Sequence, residues 1–512
     1  MPTAIFNTGL FRIAAFALTV SGLAVSLYGV LAIDAGQRLI QESYFIDRDE
    51  LYLERHSLRA QVNLGNKIES SSQPWWTQLL SQITSQRHIY GDDSYFTTHL
   101  YLAKMPSVDA LVLGIHATLA GICMVFGFIQ FIPAARKHYP LWHRRMGKAF
   151  VAFGLLSMLL SMVYLLKTPP QDTYGGLTFH VGLWMLAISA SFALFMAVFH
   201  IRKRQVAQHQ VYMALAYGLM LTAPLLRYDW MILGSLWHQQ LSFNEINYAV
   251  NVMLIPQSFL LAYVLVLFTR WSQKSPLVTP TKQALNISAK WITASIVFSV
   301  MCMITLMSHY IGDLAANLSG LQYLIPPSVL NHHAEATNGS PVSRFIFLFS
   351  SCTALFAFPL ALISSGLRLK HSNFTAMYNL SSWSFALTTL VSGAVLLYWA
   401  WLLDMPTHLT ASAGAGYLIS GIPCIIFGLL LFYALLKGSV SYFFEWAVFA
   451  LLFVASPAMF FWALNIFNII GLPQLYIDQG HGYTIASAMG PIVAMLAFFN
   501  VAYGQASVGH KK

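Results

Sequence analysis

The sequence predicts an all-α, polytopic integral membrane protein of about 12 transmembrane helices, and three observations carry that prediction. Of the 512 residues, 57% are apolar and only 9% are charged, whereas soluble domains carry about 25% charged residues. The apolar residues form runs long enough to cross a hydrocarbon core of about 30 Å as helices. Those runs are continuously apolar rather than alternating, which favours helices. Soluble enzymes, secreted disulfide scaffolds and nucleic-acid-binding modules are therefore excluded.

The predicted spans follow one another along the chain and are separated by short polar segments. They cover residues 10–33, 109–133, 147–166, 177–199, 210–232, 247–269, 291–310, 345–366, 380–402, 411–436, 443–468 and 483–504. The first span is too long for a typical signal sequence and follows a single Arg12, so we expect an uncleaved signal anchor. Pro224 and Pro457 are expected to kink the fifth and eleventh spans.

The charge distribution predicts the orientation of these helices. With the N-terminus inside, most lysines and arginines fall in the cytoplasmic loops, and those loops contain no aspartate or glutamate. This bias is the positive-inside rule, and it predicts that both termini are cytoplasmic. The four cysteines lie far apart inside apolar runs without a CxxC pair. That spacing argues against thiolate-ligated zinc, an iron–sulfur cluster or a disulfide framework.

The long segment 34–108 is predicted to be extracytoplasmic. It mixes both signs of charge with several aromatic residues, and its middle is broken by Ser70–Ser72, Gln73 and Pro74. We interpret it as a small helical cap. It is either an ordered lid or a surface that binds a protein partner.

Hydropathy and spacing indicate an internal duplication. A shift of about 233 residues aligns four helices and their connecting loops without gaps, for example Lys137 on Lys370. This predicts two parallel six-helix repeats related by an axis along the membrane normal. The N-terminal repeat comprises residues 1–270, with the cap 34–108 and a core 109–232, and the C-terminal repeat comprises 271–512. The second repeat lacks the ionisable side chains of the first and is therefore degenerate. The same shift aligns His143 with Ala376 and His209 with Tyr442.

The candidate functional residues all lie in the first repeat. Ionisable side chains are costly at membrane depth and are therefore functional candidates. His116 and His180 lie toward the outer ends of the second and fourth spans, whereas His143 and His209 open the third and fifth spans on the cytoplasmic side. The set is completed by three arginines, Arg136, Arg144 and Arg227. No catalytic residue is identified, and the sequence leaves open whether the protein is an enzyme.

Paired histidines on different helices are the arrangement that a bis-histidine b-type haem requires, and arginines suit the haem propionates. We therefore expect haem iron at His143 and His209 and a second haem at His116 and His180. Two haems stacked across the membrane would make an electron path, as in di-haem cytochromes of the b561 type; this comparison is an analogy of architecture. Such a protein would pass electrons between a quinol and a redox partner. A hydrogen-bonded network without any cofactor would use the same residues.

Two other classes of function stay open. The duplicated helices and the basic inner rim suit a transporter or a lipid-handling protein, although Glu445 is the one clear acidic residue that we place within the spans. The degenerate second repeat and the cap suit a non-catalytic subunit of a membrane complex. A nucleic-acid partner is not expected.

One part of the chain resembles a bacterial membrane family called domain of unknown function 2306. The matching pattern is an intramembrane histidine, a glycine-rich helix, an arginine before a P-x-x-H-R-x-x-G turn, a later histidine with methionine four residues on, and an arginine closing that helix. Its residues here are His116, Gly121, Gly127, Arg136, Pro140, His143, Arg144, Gly147, His209, Met213 and Arg227. The pattern does not require a histidine at His180. The resemblance covers about 109–232 and implies a multi-pass protein of the bacterial plasma (inner) membrane, without implying an activity.

Overall fold

A computed structural model of the chain describes residues 8–66, 98–173, 176–237, 289–312, 327–367, 374–403, 413–478 and 480–494, with isolated positions within 250–267, 314–325 and 496–497. In this part of the chain all regular structure is helical, which agrees with the predicted fold class. The chain divides into two compact units. We call Phe6–Ser275 the N-terminal unit and Pro276–Gln505 the C-terminal unit.

We number nine α-helices in the N-terminal unit. They are α1 (Thr8–Phe45), α2 (Arg48–Asn63), α3 (Thr98–Lys104), α4 (Ser107–Phe131), α5 (Pro133–His138), α6 (Pro140–Lys167), α7 (Gly176–Arg202), α8 (Val206–Met220) and α9 (Thr222–Trp237). Helix α4 packs against α1 on one side and α6 on another, and α7 packs against α6 and α8. Helix α8 is buried from Val211 to Met220, so the core of this unit lies around it.

We number nine further α-helices in the C-terminal unit. They are α10 (Ala289–Tyr310), α11 (Pro327–Asn338), α12 (Pro341–Leu367), α13 (Phe374–Leu402), α14 (Ala413–Leu436), α15 (Val440–Val454), α16 (Ser456–Ile470), α17 (Gln474–Asp478) and α18 (His481–Ser487). Helices α12, α13, α14 and α15 pack in chain order, and α10 packs against α12 and α16.

Eight helices of the described chain are long and apolar enough to cross a membrane, or nine if the bent pair α15–α16 is one span. The prediction of about 12 spans is therefore supported only in part. Residues 247–269 and 483–504 are described only in part, so those two predicted spans stay predictions. The predicted span 210–232 is two helices of 15 and 16 residues, each shorter than the roughly 20 residues that a span requires.

Both predicted kinks lie at helix breaks. Helix α8 ends at Met220 and α9 begins at Thr222, so Pro224 lies in the first turn of α9. Helix α15 ends at Val454, α16 begins at Ser456, and the pair is bent by 52°. A proline lacks the amide donor that an interior turn needs but is tolerated in a first turn, which explains why each new helix begins just before its proline.

Helix lengths recur in the two units. Helices α4, α6, α7, α8 and α9 have 25, 28, 27, 15 and 16 residues. Helices α12 to α16 have 27, 29, 24, 15 and 15 residues. This order fits the predicted duplication. The repeat itself and the orientation in the membrane stay predictions.

Helix α1 continues past residue 34, where the cap is predicted to begin, and ends at Phe45. At 1.5 Å per residue its 38 residues make a helix about 57 Å long. The polar extension is stabilised by an ion pair one turn apart, Arg38 to Asp34 at 2.8 Å. Helix α2 follows after Asp47, and Arg48 ties it to the end of α3 by donating to the Met105 carbonyl at 3.0 Å. The predicted break at 70–74 lies outside the described residues.

Candidate functional site

His143 and His209 each lie in the first turn of a helix. The His143 amide donates to the Tyr139 carbonyl at 2.9 Å, just after Pro140 begins α6. The His209 amide donates to the Gln205 carbonyl at 3.0 Å at the start of α8. Free amide donors and the helix dipole give such turns a positive potential, which favours an anionic ligand. Neither first turn contains an acidic residue.

The two imidazoles share their surroundings with two arginines. His143 lies within electrostatic range of His209, Arg136 and Arg144. Arg136, on the short helix α5, is partly buried, and within the described residues its guanidinium has no hydrogen-bond or ion-pair partner. A guanidinium that is withdrawn from water without a carboxylate favours an anion, because charge-assisted hydrogen bonds offset its desolvation. The structure thus brings together four of the predicted site residues.

A backbone carbonyl sets the tautomer of His209. Its Nδ1 lies 2.9 Å from the Ala197 carbonyl oxygen on α7. Because a carbonyl only accepts, Nδ1 carries the proton and Nε2 carries the lone pair. Metal-ligating histidines have this arrangement, with one nitrogen donating to the protein and the other facing the metal.

His143 and Gln130 each have a buried nitrogen without a hydrogen-bond partner in the described part of the chain, namely Nδ1 of His143 and Nε2 of Gln130. Gln130 is 7% exposed on α4, and a Cβ at Gly147, one turn after His143, would lie 3.2 Å from its Oε1. Buried polar atoms without partners cost about 1–3 kcal/mol each. Two of them beside the same turn indicate a place where a ligand binds. We call Gln130, Arg136, His143, Arg144 and His209 the inner cluster.

Gln130 was missed by the sequence analysis, which considered only ionisable groups. The signal was an amide between Ile129 and Phe131 near the end of an otherwise apolar span. Buried amides need hydrogen-bond partners just as buried charges need neutralising groups.

His116 connects two helices through its ring. At least one of its ring nitrogens is bonded to protein and is not available to a ligand. Its Nδ1 lies 2.8 Å from the Ser157 carbonyl oxygen and 3.0 Å from Ser157 Oγ, and that hydroxyl also donates to the His116 carbonyl at 3.2 Å. These contacts connect α4 to α6. Arg227 lies within electrostatic range of His116, and its guanidinium packs 5.5 Å from the Trp230 ring centre.

His180 has protein partners on both ring nitrogens. Trp184 Nε1 donates to His180 Nε2 at 3.1 Å, so Nδ1 carries the proton and donates to Thr173 Oγ1 at 2.8 Å. No lone pair of this imidazole is left for iron. Within the described residues no hydrogen bond or electrostatic interaction connects His180 with His116. The geometry therefore favours the inner pair of histidines over the outer pair.

Comparison with protein families places these residues in one matched segment. Residues 113–266 match the family described as Predicted membrane protein (DUF2306). The match confirms the resemblance found in the sequence, and it includes all seven candidate histidines and arginines. It covers less than half of the chain. No curated protein matches the chain, and no solved structure does.

Three glycines of α4 in the DUF2306 segment, Gly114, Gly121 and Gly127, serve close packing between protein groups. A Cβ at Gly114 would lie 2.8 Å from the Gly36 carbonyl oxygen, and one at Gly29 would lie 2.8 Å from that of Gly121. Helices α1 and α4 therefore meet backbone to backbone, as small residues allow in membranes. The space beside Gly127 is filled by the ring of Tyr217. Packing against other protein groups therefore explains the three glycines of this helix. Of the glycines in the family pattern, Gly147 is the one that lies beside the inner cluster.

The DUF2306 segment also contains an acid that our reading of the spans missed. Asp229 lies on α9, inside the predicted span 210–232, and is hydrogen-bonded to Gln257. Its Oδ2 is buried and has no hydrogen-bond partner in the described chain. Glu445, which we singled out in the C-terminal unit, is 3% exposed.

The C-terminal unit has a buried polar cluster of its own, although its aligned positions lost the candidate histidines. His333 lies between Tyr417 and Tyr483, and Tyr417 OH lies 3.1 Å from Tyr310 OH. None of these four residues aligns with a candidate of the first repeat, so the comparison of repeats could not find them. Within the described residues no group of three or more histidine, cysteine, aspartate or glutamate side chains suits a metal ion.

Proposed function

We propose that the N-terminal unit binds a single b-type haem through His143 and His209 and transfers electrons within the membrane. The observation that supports this proposal best is the state of the two imidazoles. His209 donates from Nδ1 to a backbone carbonyl and keeps Nε2 as an acceptor, and His143 has a buried ring nitrogen without a partner. These two imidazoles would hold the haem iron.

The charges of the inner cluster favour the same ligand. Haem propionates are anionic, and Arg136 and Arg144 lie near His143 without an acidic side chain in the first turns of α6 or α8. Gln130 Nε2 adds a buried donor. The chain's own residues would thus bind the iron, pair with the propionates and donate a hydrogen bond at the rim.

When bound, a b-type haem supplies a one-electron iron couple. The protein would tune that couple through the His209–Ala197 hydrogen bond, since a donor bond from the distal nitrogen raises the basicity of the ligand. A quinol in the bilayer or a protein partner on the cytoplasmic side would exchange the electron, because the cap is predicted to lie on the opposite side of the membrane from the inner cluster. The outer pair of histidines is not part of this proposal, because both nitrogens of His180 are already bonded.

The experiment is an absorbance spectrum of the full chain, purified after expression with ample haem. We expect a low-spin Soret band, a sharp α-band on reduction, and a single haem per chain. His143→Ala and His209→Ala should each abolish these bands. His138→Ala, on the exposed end of α5, is the matched control and should retain them. A haem-free wild-type protein, or bands that survive both substitutions, would refute the proposal.

A lipid-handling function is the second candidate, and the partly buried Arg136 favours it. A phospholipid phosphate would satisfy Arg136 and the two helix N-termini as a propionate would. In that case the purified protein is colourless and retains an anionic phospholipid, detectable by native mass spectrometry. Arg136→Gln should lose that lipid, whereas Lys137→Gln, its exposed neighbour, should retain it. A colourless protein with no such selective retention would exclude this alternative.

A further inference from the structure

His333 is a buried histidine whose two ring nitrogens both contact phenols. It lies on α11, outside the candidate spans, and is 3% exposed. Its Nδ1 is bonded to Tyr483 OH on α18 and its Nε2 to Tyr417 OH on α14. One side chain therefore connects α11 to two other helices of the C-terminal unit.

The hydrogen bonds of this cluster are consistent with a neutral imidazole. A neutral ring has one donor and one acceptor, so one phenol donates to it and the other accepts from it. Tyr417 OH is also bonded to Tyr310 OH at 3.1 Å, so its single O–H proton is directed either to His333 or to Tyr310. A protonated ring has two donors and no acceptor, so the phenol that donates must reverse its bond, and a positive charge must be buried.

The cluster borders a small cavity. Its volume is about 30 Å³, and its lining includes Ser420 and Ser456, whose hydroxyls are bonded at 2.8 Å. That volume holds roughly two water molecules. Water in this cavity is the source from which His333 would take a proton.

We propose that His333 is a proton-binding site that keeps α11 docked on the C-terminal unit while neutral and releases it when protonated. The proposal is independent of the haem, because it rests on residues of the other unit.

The direction of the pH dependence follows from the burial of His333. Burial, together with the neighbouring His332, lowers the pKa of His333 from 6.5 to about 3. In the released helix the pKa returns toward its ordinary value. Docking is therefore at full strength above pH 6.5 and weakens as the pH falls from 6.5 toward 3. One proton is taken up on release, so the ratio of released to docked protein should rise about tenfold per pH unit in that window.

The other titratable and charged groups near α11 behave differently. Protonated His332 still donates to the Leu403 carbonyl, 3.2 Å from its Nε2. Glu335 is exposed, and Arg344 of α12 keeps its charge while donating to Asn338 at 2.8 Å. His481, close in sequence to Tyr483 on α18, has its pKa lowered by burial to about 4, so it needs its own control.

The test is the mobility of a nitroxide attached at Asn331→Cys, an exposed position of α11, in full-length protein. The partly buried Cys352 is replaced by serine so that it does not react. We expect a mobile component that grows about tenfold per pH unit below pH 6.5. His333→Gln keeps one donor and one acceptor but cannot titrate, and it should show a constant docked spectrum. A wild-type spectrum unchanged from pH 7 to 4, or an equal response in His333→Gln, would overturn the proposal.

Three further variants keep the test decisive if His333→Gln does not fold. His332→Gln, Glu335→Gln and His481→Gln should each leave the pH response of the label intact, because His333 is still present. Loss of the response in any one of them would assign it to that residue and overturn the role of His333.

Discussion

The Nδ1 of His209 lies 2.9 Å from the carbonyl oxygen of Ala197, and this hydrogen bond fixes an imidazole at the start of α8 against the preceding helix. Because the acceptor belongs to the backbone of α7, the ring orientation is maintained by a rigid element and does not depend on another flexible side chain. Preorganisation of this kind is what a metal-binding histidine needs.

The first prediction concerns the vacancy that His209→Gly leaves. If His209 ligates haem iron, this variant should lose the low-spin spectrum, and added imidazole should restore it by occupying the space of the missing ring. The measurement is a titration of the Soret and α-bands with imidazole. His180→Gly is the control and should keep its spectrum without imidazole. A His209→Gly protein whose spectrum equals that of the wild type would contradict the assignment.

The second prediction concerns Gln130, whose Nε2 is buried without a partner in the described chain. In ligand-free protein Gln130→Leu should be neutral or raise the unfolding midpoint, because removing an unsatisfied amide relieves a cost of about 1–3 kcal/mol. In ligand-loaded protein the same change should weaken ligand retention. Gln205→Leu is the control: it removes a 2.6 Å bond to His200 and should destabilise both forms. Destabilisation by Gln130→Leu in the ligand-free form would argue against an inner site.

The third prediction concerns Ser157, which bonds both the ring and the backbone of His116. Ser157→Ala should lower the free energy of unfolding by about 0.6–1.7 kcal/mol, the range of interhelical hydrogen bonds in membranes. An SDS titration of the purified protein measures this loss. Ser308→Ala, an exposed serine bonded within its own helix, should change the midpoint by much less. Equal effects of the two substitutions would mean that the α4–α6 connection contributes nothing.

The fourth prediction uses two glycines that differ in their surroundings. Alanine normally improves an exposed helix position by about 1 kcal/mol over glycine. Gly182→Ala should show this gain or no change, because nothing lies within 4 Å of its Cβ position. Gly29→Ala should instead cost roughly 1–3 kcal/mol, because its Cβ would lie 2.8 Å from the Gly121 carbonyl oxygen. Thermal unfolding of both variants tests this, and a stabilised Gly29→Ala would exclude close α1–α4 packing.

Local sequence features predicted most of the helices, because the apolar composition of each span is enough to indicate that it lies in lipid. A continuous apolar run such as 289–310 has one stable solution in a bilayer, and the prediction of a span at 291–310 agrees with α10. Helix α1 was predicted too short because its polar extension is stabilised by pairs such as Arg38 and Asp34, which hydropathy does not register. The segment 210–232 was predicted as one span because hydropathy does not register the break at Leu221.

The sequence predicted which residues are site candidates, but it did not predict which of the histidines keep a ring nitrogen free for a ligand. Rarity at membrane depth singled out His116 most clearly, whereas His143, His180 and His209 lie nearer the ends of their predicted spans. The hydrogen bonds of His180 to Thr173 and Trp184 then separate it from His209. Trp184 lies one turn after His180 within α7, whereas the bond to Thr173 depends on the position of a residue that precedes the helix.

The sequence by itself determined that the chain is helical, apolar and built for a membrane, because composition and run length act locally through the cost of exposing polar backbone to lipid. It also determined which ionisable groups are scarce enough to carry function. Only the tertiary structure decided which nitrogens are bonded and which are left over, as at Gln130 and His333, because a hydrogen bond between helices depends on distances that no single segment encodes.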